Sequence, residues 1–396
     1  MRIPERVRAI ELPQFDVLND IAASWRARGA DVIGLGQALP GFAPPPVALT
    51  ALKAALDDPT TQIYSSDAGI PQLRHALARS LAALQATVDP EREIIITAGG
   101  NQAFHLALTT LVDPGEEVIL PGPYFLNHEM SVQAVGAIPV EAPVPASRQF
   151  VPTWDAIEPH VTLRTRAVVL VSPSNPTGAI IPRPELERIA AECAARDVIL
   201  IVDETYMRFV YEGQPFTAAA LPHWGEHVVI VGSFSKTLAI TGWRCGYLLA
   251  NAQAISEAMK IQDCMIICAP VPVQRAVAAV LDKDPDYTTG WLPELRQRRD
   301  ALFSGLCQIQ GLEPARPAGG FFIMVKFAGC TDSRALALDL VQKEQLVTIP
   351  GRFFGRSGEG YLRLSYGAAT TDQLREACRR LARYVDHTRQ SWSHLQ

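Results

Sequence analysis

Between residues 93 and 250 short apolar runs alternate with helical patterns, and this alternation constrains the fold more than any other feature. EIIIT passes into NQAFHLALTTL, EEVIL follows, RAVVLVS leads to PELERIAAECAAR, and then come VILIVDE, HVVIVGS and CGYLLA. Such alternation predicts an α/β layer architecture. Runs such as VVLV and ILIV show no polar alternation, as expected of strands covered by helices on both faces of a mostly parallel sheet. The last hundred residues follow a different pattern. A helix through ELRQRRDALFSGLCQI, a strand FFIMVKF, a helix from Ser333 to Glu344, a strand YLRLSYG and a helix near Thr371 to Val385 predict a smaller α+β domain. The Pro/Gly-rich GQALPGFAPPP near the N-terminus reads as an extended arm. The expected division is an arm and small-domain segment over 1–45, a large domain over 46–285 and a small domain over 286–396.

Composition narrows the partners. With 396 residues, 48% of them hydrophobic, the chain can build its core without disulfides or structural metals. Its net charge of -5 and lack of a basic run leave no footprint for nucleic acid or anionic lipid, so a small-molecule partner is expected. MRIPERVRAIELPQFD is charged where a secretory signal needs an apolar stretch, and no segment approaches 18 apolar residues; no membrane association and a cytoplasmic location are expected. Seven scattered cysteines without a CxxC pair support neither a disulfide framework nor a metal site. Cys193 is expected on a buried helical face with Leu186, Ile189 and Ala190.

In an open parallel sheet ligands bind beyond the carboxyl ends of the strands, so the residues ending each apolar run belong together. EIIITAGGNQAF runs a strand through Gly99, Gly100 and Asn101 into a helix, which permits a phosphate cradle or an ordinary turn. SPSNPTG sets Asn175 in a Pro-bracketed turn, VILIVDETY sets Asp203 at a strand mouth with Tyr206 three residues on, and HVVIVGSFSKT ends at Ser233 with Lys236 just after. The chain has only six lysines, so one at a strand mouth stands out. One cofactor suits a phosphate cradle, a buried carboxylate, a phenol, an amide and an amine at one sheet edge: pyridoxal 5'-phosphate. A nicotinamide site would need GxGxxG, which does not occur.

SPSNPTG, VDETY, SFSKT followed by GWRCGY, and PGRFFGRSGEGYLRLSYG resemble, in order and spacing, the class I/II aminotransferases of the fold-type I pyridoxal-phosphate superfamily, over nearly the whole chain. The resemblance implies a large cofactor-binding domain with a mostly parallel sheet flanked by helices, plus a smaller α+β domain. It implies Lys236 as the Schiff-base lysine, Asp203 as the partner of the pyridine nitrogen, and Tyr206 and Asn175 facing the phenolic oxygen. Gly99, Gly100, Asn101, Ser233 and Arg244 are the implied phosphate ligands. Arg363 matches the clamp for the substrate α-carboxylate, and the alternation in YLRLSY puts Tyr361, Arg363 and Ser365 on one face and Leu362, Leu364 and Tyr366 on the other. Tyr64 matches a tyrosine that reaches the neighbouring subunit's phosphate, which implies a homodimer with shared active sites. Phe125 matches the aromatic stacked on the pyridine ring, with Tyr124 a competitor, and His128 matches a histidine that touches the aspartate. Gly36 matches a backbone contact beside the substrate carboxylate.

The implied reaction moves the amino group of an L-amino acid to a 2-oxo acid through a Lys236 aldimine, with Lys236 also serving as general base. NQAF and PYFLNHEM resemble members that handle aromatic amino acids or methionine. An aspartate/glutamate-type enzyme is the alternative, with Arg352 or the cluster Arg296, Arg298, Arg299 as candidate distal clamps, as is a β-lyase or decarboxylase on the same scaffold. A ligand-sensing regulator would need a helix-turn-helix extension, for which the forty residues before the large domain offer no basic recognition helix.

Overall fold

The computed structural model describes residues 1–13 and 15–392, with side chains as far as Thr388. Residues 393–396 of the expected C-terminal domain lie outside the described residues. The main sheet has seven strands: β1 (Ile94–Thr97), β2 (Glu117–Gly122), β3 (Ile138–Pro143), β4 (Thr165–Val171), β5 (Ile199–Asp203), β6 (Val228–Ser233) and β7 (Gly246–Leu249). Their spatial order is β1-β7-β6-β5-β4-β2-β3. Every pairing is parallel except those of β7, which runs against both its neighbours.

The apolar runs behave as their lack of alternation requires. Leu200 and Val202 enter one core while Ile199 and Ile201 enter another, and Val168 and Leu170 part from Ala167 and Val169 in the same way. Successive side chains point to opposite faces, so a strand with a core on each side must be apolar throughout. On the helix Arg183–Ala194, Leu186, Ile189 and Cys193 are buried together, as their spacing predicts.

A smaller antiparallel sheet orders Ile349–Pro350, Tyr361–Ser365, Phe322–Phe327 and Leu312–Pro314 side by side. Its core takes Leu362, Leu364 and Tyr366 from the strand that carries Arg363, together with Leu302 and Leu306 from the helix Leu292–Cys307. Leu18, Ala22, Ile33, Leu35 and Phe42 join this same core, and Ile33–Gly34 pairs in parallel with Leu346–Val347. The N-terminal segment is therefore only partly an extended arm. Phe15–Ala27 is a helix that buries Leu18 and Ala22, four residues apart on one face, whereas the Pro/Gly passage after Gly36 is irregular until Pro46. The strand β3 had no clear signal either: IPVEAP carries two prolines, which argue against a strand and suit its place at the sheet edge.

Candidate active site

The carboxyl ends of β1, β4, β5 and β6 and the start of β7 meet at one edge, around a cavity of about 390 Å³. Its tightest corner is made of backbone. Gly99, at φ 90°, follows β1 and caps the helix Gly100–Leu111. A Cβ on Gly246 would lie 2.6 Å from the Gly99 carbonyl carbon and 2.8 Å from the Gly100 nitrogen; one on Gly232 would enter the Tyr247 ring, and one on Gly99 would enter the Arg244 guanidinium. Only glycine fits where three chain segments press together, and the open first turn of the helix is left facing the cavity with Ser233 and Ser235. Arg244 holds a left-handed backbone, φ 58°, which turns its guanidinium back onto this corner to donate to the carbonyls of Thr241 at 2.8 Å and Ala98 at 3.2 Å.

Lys236 follows β6 in the short helix Phe234–Thr237, and its Nζ donates to the Ala38 carbonyl at 2.6 Å. Burial, reinforced by the Arg363 and Arg244 charges, pushes the amine down to about 8. Asp203 ends β5; its carboxylate accepts from the Thr205 N–H at 2.9 Å and from His128 Nε2 at 3.2 Å. The His128 ring lies between Phe104 and Phe125, with its Nδ1 buried and unpartnered. Tyr206 packs edge-on against Phe321 and Phe322, and burial pushes its phenol well up from 10. Arg363 is buried between the Phe322 and Phe354 rings, 4.8 and 5.0 Å from their centroids. It donates to Asn175 Oδ1 at 2.8 Å and to the Gly36 carbonyl, its Nε has no partner, and burial pulls it down to about 10.

Gly36, Gly100, Asn101, Phe125, Asn175, Asp203, Tyr206, Ser233, Lys236, Arg244 and Arg363 all line this one cavity, and Gly99 abuts it through Arg244. Tyr64 does not: it stands on the surface, 75% exposed. Tyr124 turns away from the cavity and donates to Glu129 at 2.9 Å, which leaves Phe125 as the aromatic facing inward. Arg352 is exposed on a separate groove of about 880 Å³. Arg298 and Arg299 are buried in the small core, held by the carbonyls of Gly367 and Pro317 and by Glu294 and Asp300, and Arg296 is exposed on the same helix. Sequence reasoning missed Thr205, Ser235 and Ala38, and also Phe15, Leu18 and Asn19 of the N-terminal helix. Thr205 and Ser235 lie inside motifs already singled out, but the helix carried no chemical signal.

An open α/β sheet with a cation-lined cavity at the carboxyl ends of its strands agrees with the fold-type I architecture that the sequence motifs imply. The family described as aminotransferase class I and II matches residues 30–381. The chain is 34% identical to an aspartate aminotransferase of Pyrococcus abyssi, over 97% of this chain and 98% of that one. It is 32% identical to an aromatic-amino-acid aminotransferase of Thermococcus litoralis, with the same coverage. A solved aspartate aminotransferase of Thermus thermophilus with maleate superposes with a TM-score of 0.88 at 31% identity, covering 97% of this chain and all of that one. The chain belongs to the class I and II aminotransferase family, and it is an aminotransferase. Among the described residues no helix is long and apolar enough to cross a membrane.

Proposed function

We propose that the cavity binds pyridoxal 5'-phosphate and serves transfer of the amino group from an L-amino acid with an aromatic or methionine-like side chain to a 2-oxo acid. One observation carries this reading: Lys236, Arg244 and Arg363 face one cavity, and none has a carboxylate within ion-pair distance among the described residues. Lys236 and Arg363 are desolvated, Arg244 stands at the rim, and cations so placed call for anions. A phosphate would lie against Arg244, Ser233, Asn101 and the Gly99–Gly100 turn, and an α-carboxylate against Arg363. The cofactor fits the remaining donors as well, with Asp203 to face the ring nitrogen, Tyr206 and Asn175 to face the phenolic oxygen, and Phe125 to cover the ring.

When bound, pyridoxal phosphate supplies an aldehyde that condenses with amines and a ring that accepts the electron pair left at the substrate Cα. The chain's own residues do the rest. Lys236, held at about 8, is unprotonated in a useful fraction near neutral pH, and so serves as nucleophile and takes the proton from Cα. Thr205 and His128 fix the Asp203 carboxylate, while Asn175 and Gly36 orient the Arg363 fork. Tyr64 would complete the phosphate site of a second copy.

Side-chain preference rests on the wall beside Arg363. Phe15, Phe125, Leu126 and Ile349 line the cavity and cluster with Met130, Phe353 and Phe354. Among the described residues no fourth cation lines the cavity, so a distal carboxylate would have no partner there. The test is the half-reaction of the cofactor-loaded chain with phenylalanine, tyrosine, methionine, aspartate and glutamate, followed by absorbance without an acceptor. Aromatic and methionine donors should lead. Aspartate ahead of all of them by more than about tenfold, roughly 1.4 kcal/mol, overturns the side-chain preference. Release of ammonia with no pyridoxamine form overturns transfer in favour of a lyase.

A further inference from the structure

The anion turn and the loop that follows Tyr64 are joined by a chain of buried amides. Gln262, on the helix Ala252–Ile266, is wholly buried. Its Nε2 donates to the Ile96 carbonyl at 3.2 Å, at the end of β1, and to the Asp67 carbonyl at 3.4 Å, in the loop after Tyr64. Its Oε1 accepts from Gln102 Nε2 at 2.8 Å, and Gln102 Oε1 accepts the Ala98 N–H. Gln102 is the third residue of the helix Gly100–Leu111, so its side chain reaches back over the glycine turn as a capping residue does. Ala98 is held on both sides, its N–H by Gln102 and its carbonyl by Arg244. A second buried glutamine, Gln274, holds the far end of the Tyr64 loop by accepting the Ile70 N–H at 2.8 Å and donating to the Ala269 carbonyl at 2.8 Å.

A methionine would fill the volume of Gln262 without any amide to desolvate. A glutamine there is stable only because both ends of its amide are bonded, which fixes the direction in which Gln102 must present its own. We infer that Gln262 and Gln102 form one positioning relay, which sets the peptide before Gly99 and ties the anion turn to the loop carrying Tyr64. The inference rests on the reading that this turn takes the cofactor's phosphate. The relay touches neither cofactor nor substrate. It aims the groups that do.

The experiment compares full-length chain stripped of cofactor, as wild type, Gln262→Met, Gln102→Met and the double variant. Each is titrated with pyridoxal phosphate and with pyridoxal, which forms the same bond to an amine but has no phosphate. Each single variant should lose on the order of tenfold in affinity for pyridoxal phosphate, the scale of one or two lost hydrogen bonds, and keep its pyridoxal affinity within about twofold. The double variant should lose no more than the weaker-binding single one, because both changes break one chain. Inorganic phosphate should raise the melting temperature of wild type more than that of the variants. Equal losses for both ligands, or additive losses in the double variant, overturn the relay. If Gln262→Met does not fold, Gln102→Met, at a half-buried helix start, decides through the ratio of the two affinities. Failure of the cofactor reading itself would appear in wild type, as equal affinity for the two ligands.

Discussion

Lys236 makes the sharpest demand on its surroundings of any single residue here. Its amine is pushed down from an ordinary 10.5 to about 8 in the folded chain. Between those two values the unfolded chain binds more protons than the folded one, so this group makes stability rise with pH across that window. Below about 8 the cost of charging a buried amine is fully present, and by 10.5 it is relieved. In cofactor-free chain, Lys236→Met should therefore be more stable than wild type at pH 7. The gain is on the order of 3 kcal/mol before the lost bond to Ala38 is subtracted. Denaturant unfolding at pH 7, 8.5 and 10 should show the gap closing as pH rises; a gap that stays constant would mean that folding does not push the amine below its ordinary value. At this scale the sequence was most legible where chemistry and pattern coincide. Asp203 and Arg363 were visible because a charged residue that ends or interrupts an apolar strand has few bland explanations, and Lys236 because it is one of only six lysines and stands just past a strand mouth. The Ala38 carbonyl was invisible, since any residue offers one and only the fold decides which faces the lysine.

Among the elements, the packed corner of β1, β6 and β7 makes the firmest prediction. At Gly246 the atoms that a Cβ would strike are the Gly99 carbonyl carbon, the Gly232 oxygen and the Gly100 nitrogen, all backbone, whereas at Gly232 they belong to the Tyr247 ring. Gly246→Ala should cost about 1–3 kcal/mol of stability as well as cofactor affinity, and no side-chain deletion should restore it. Gly232→Ala should be partly rescued by Tyr247→Ala, measured by unfolding of the single and double variants. Rescue of Gly246→Ala by any neighbour's truncation would show that the clash is not with backbone. The sequence announced the buried strands, because cores on two faces leave a run of valine and isoleucine with nothing to alternate against. It concealed β3, whose two prolines argue against a strand, and the helix Phe15–Ala27, whose Phe15, Leu18, Ala22 and Trp25 do recur at helical spacing but were passed over beside the Pro/Gly-rich passage that follows. The glutamine relay was equally hidden: a sequence shows a glutamine, not which carbonyl it meets 160 residues away.

For the whole molecule, the exposed apolar residues Leu49, Leu56, Ile63, Tyr64, Met265 and Ile266 come from the helix Pro46–Asp57, the loop after it and the end of the helix Ala252–Ile266, which Gln262 ties to that loop. We propose that this face meets a second copy, with Tyr64 reaching the partner's phosphate. Mixing Tyr64→Phe chains with Lys236→Ala chains should yield heterodimers in which one site holds both the lysine and the tyrosine, and activity above that of either parent. If Tyr64 served its own subunit, no mixed site could hold both, and activity would stay at the parental level. The strand order has one more consequence. On the proposed reading the corner for a phosphate needs β1, β6 and β7, which places Gly246 beside Gly99, and the clamp for a carboxylate waits for Arg363. A chain leaving the ribosome has synthesised more than nine-tenths of its length before these groups can all meet. A ligand that needs both groups can then stabilise only the nearly finished fold, by mass action on the native state, and gives no help to the earlier stretches of sheet while they are exposed and prone to stick.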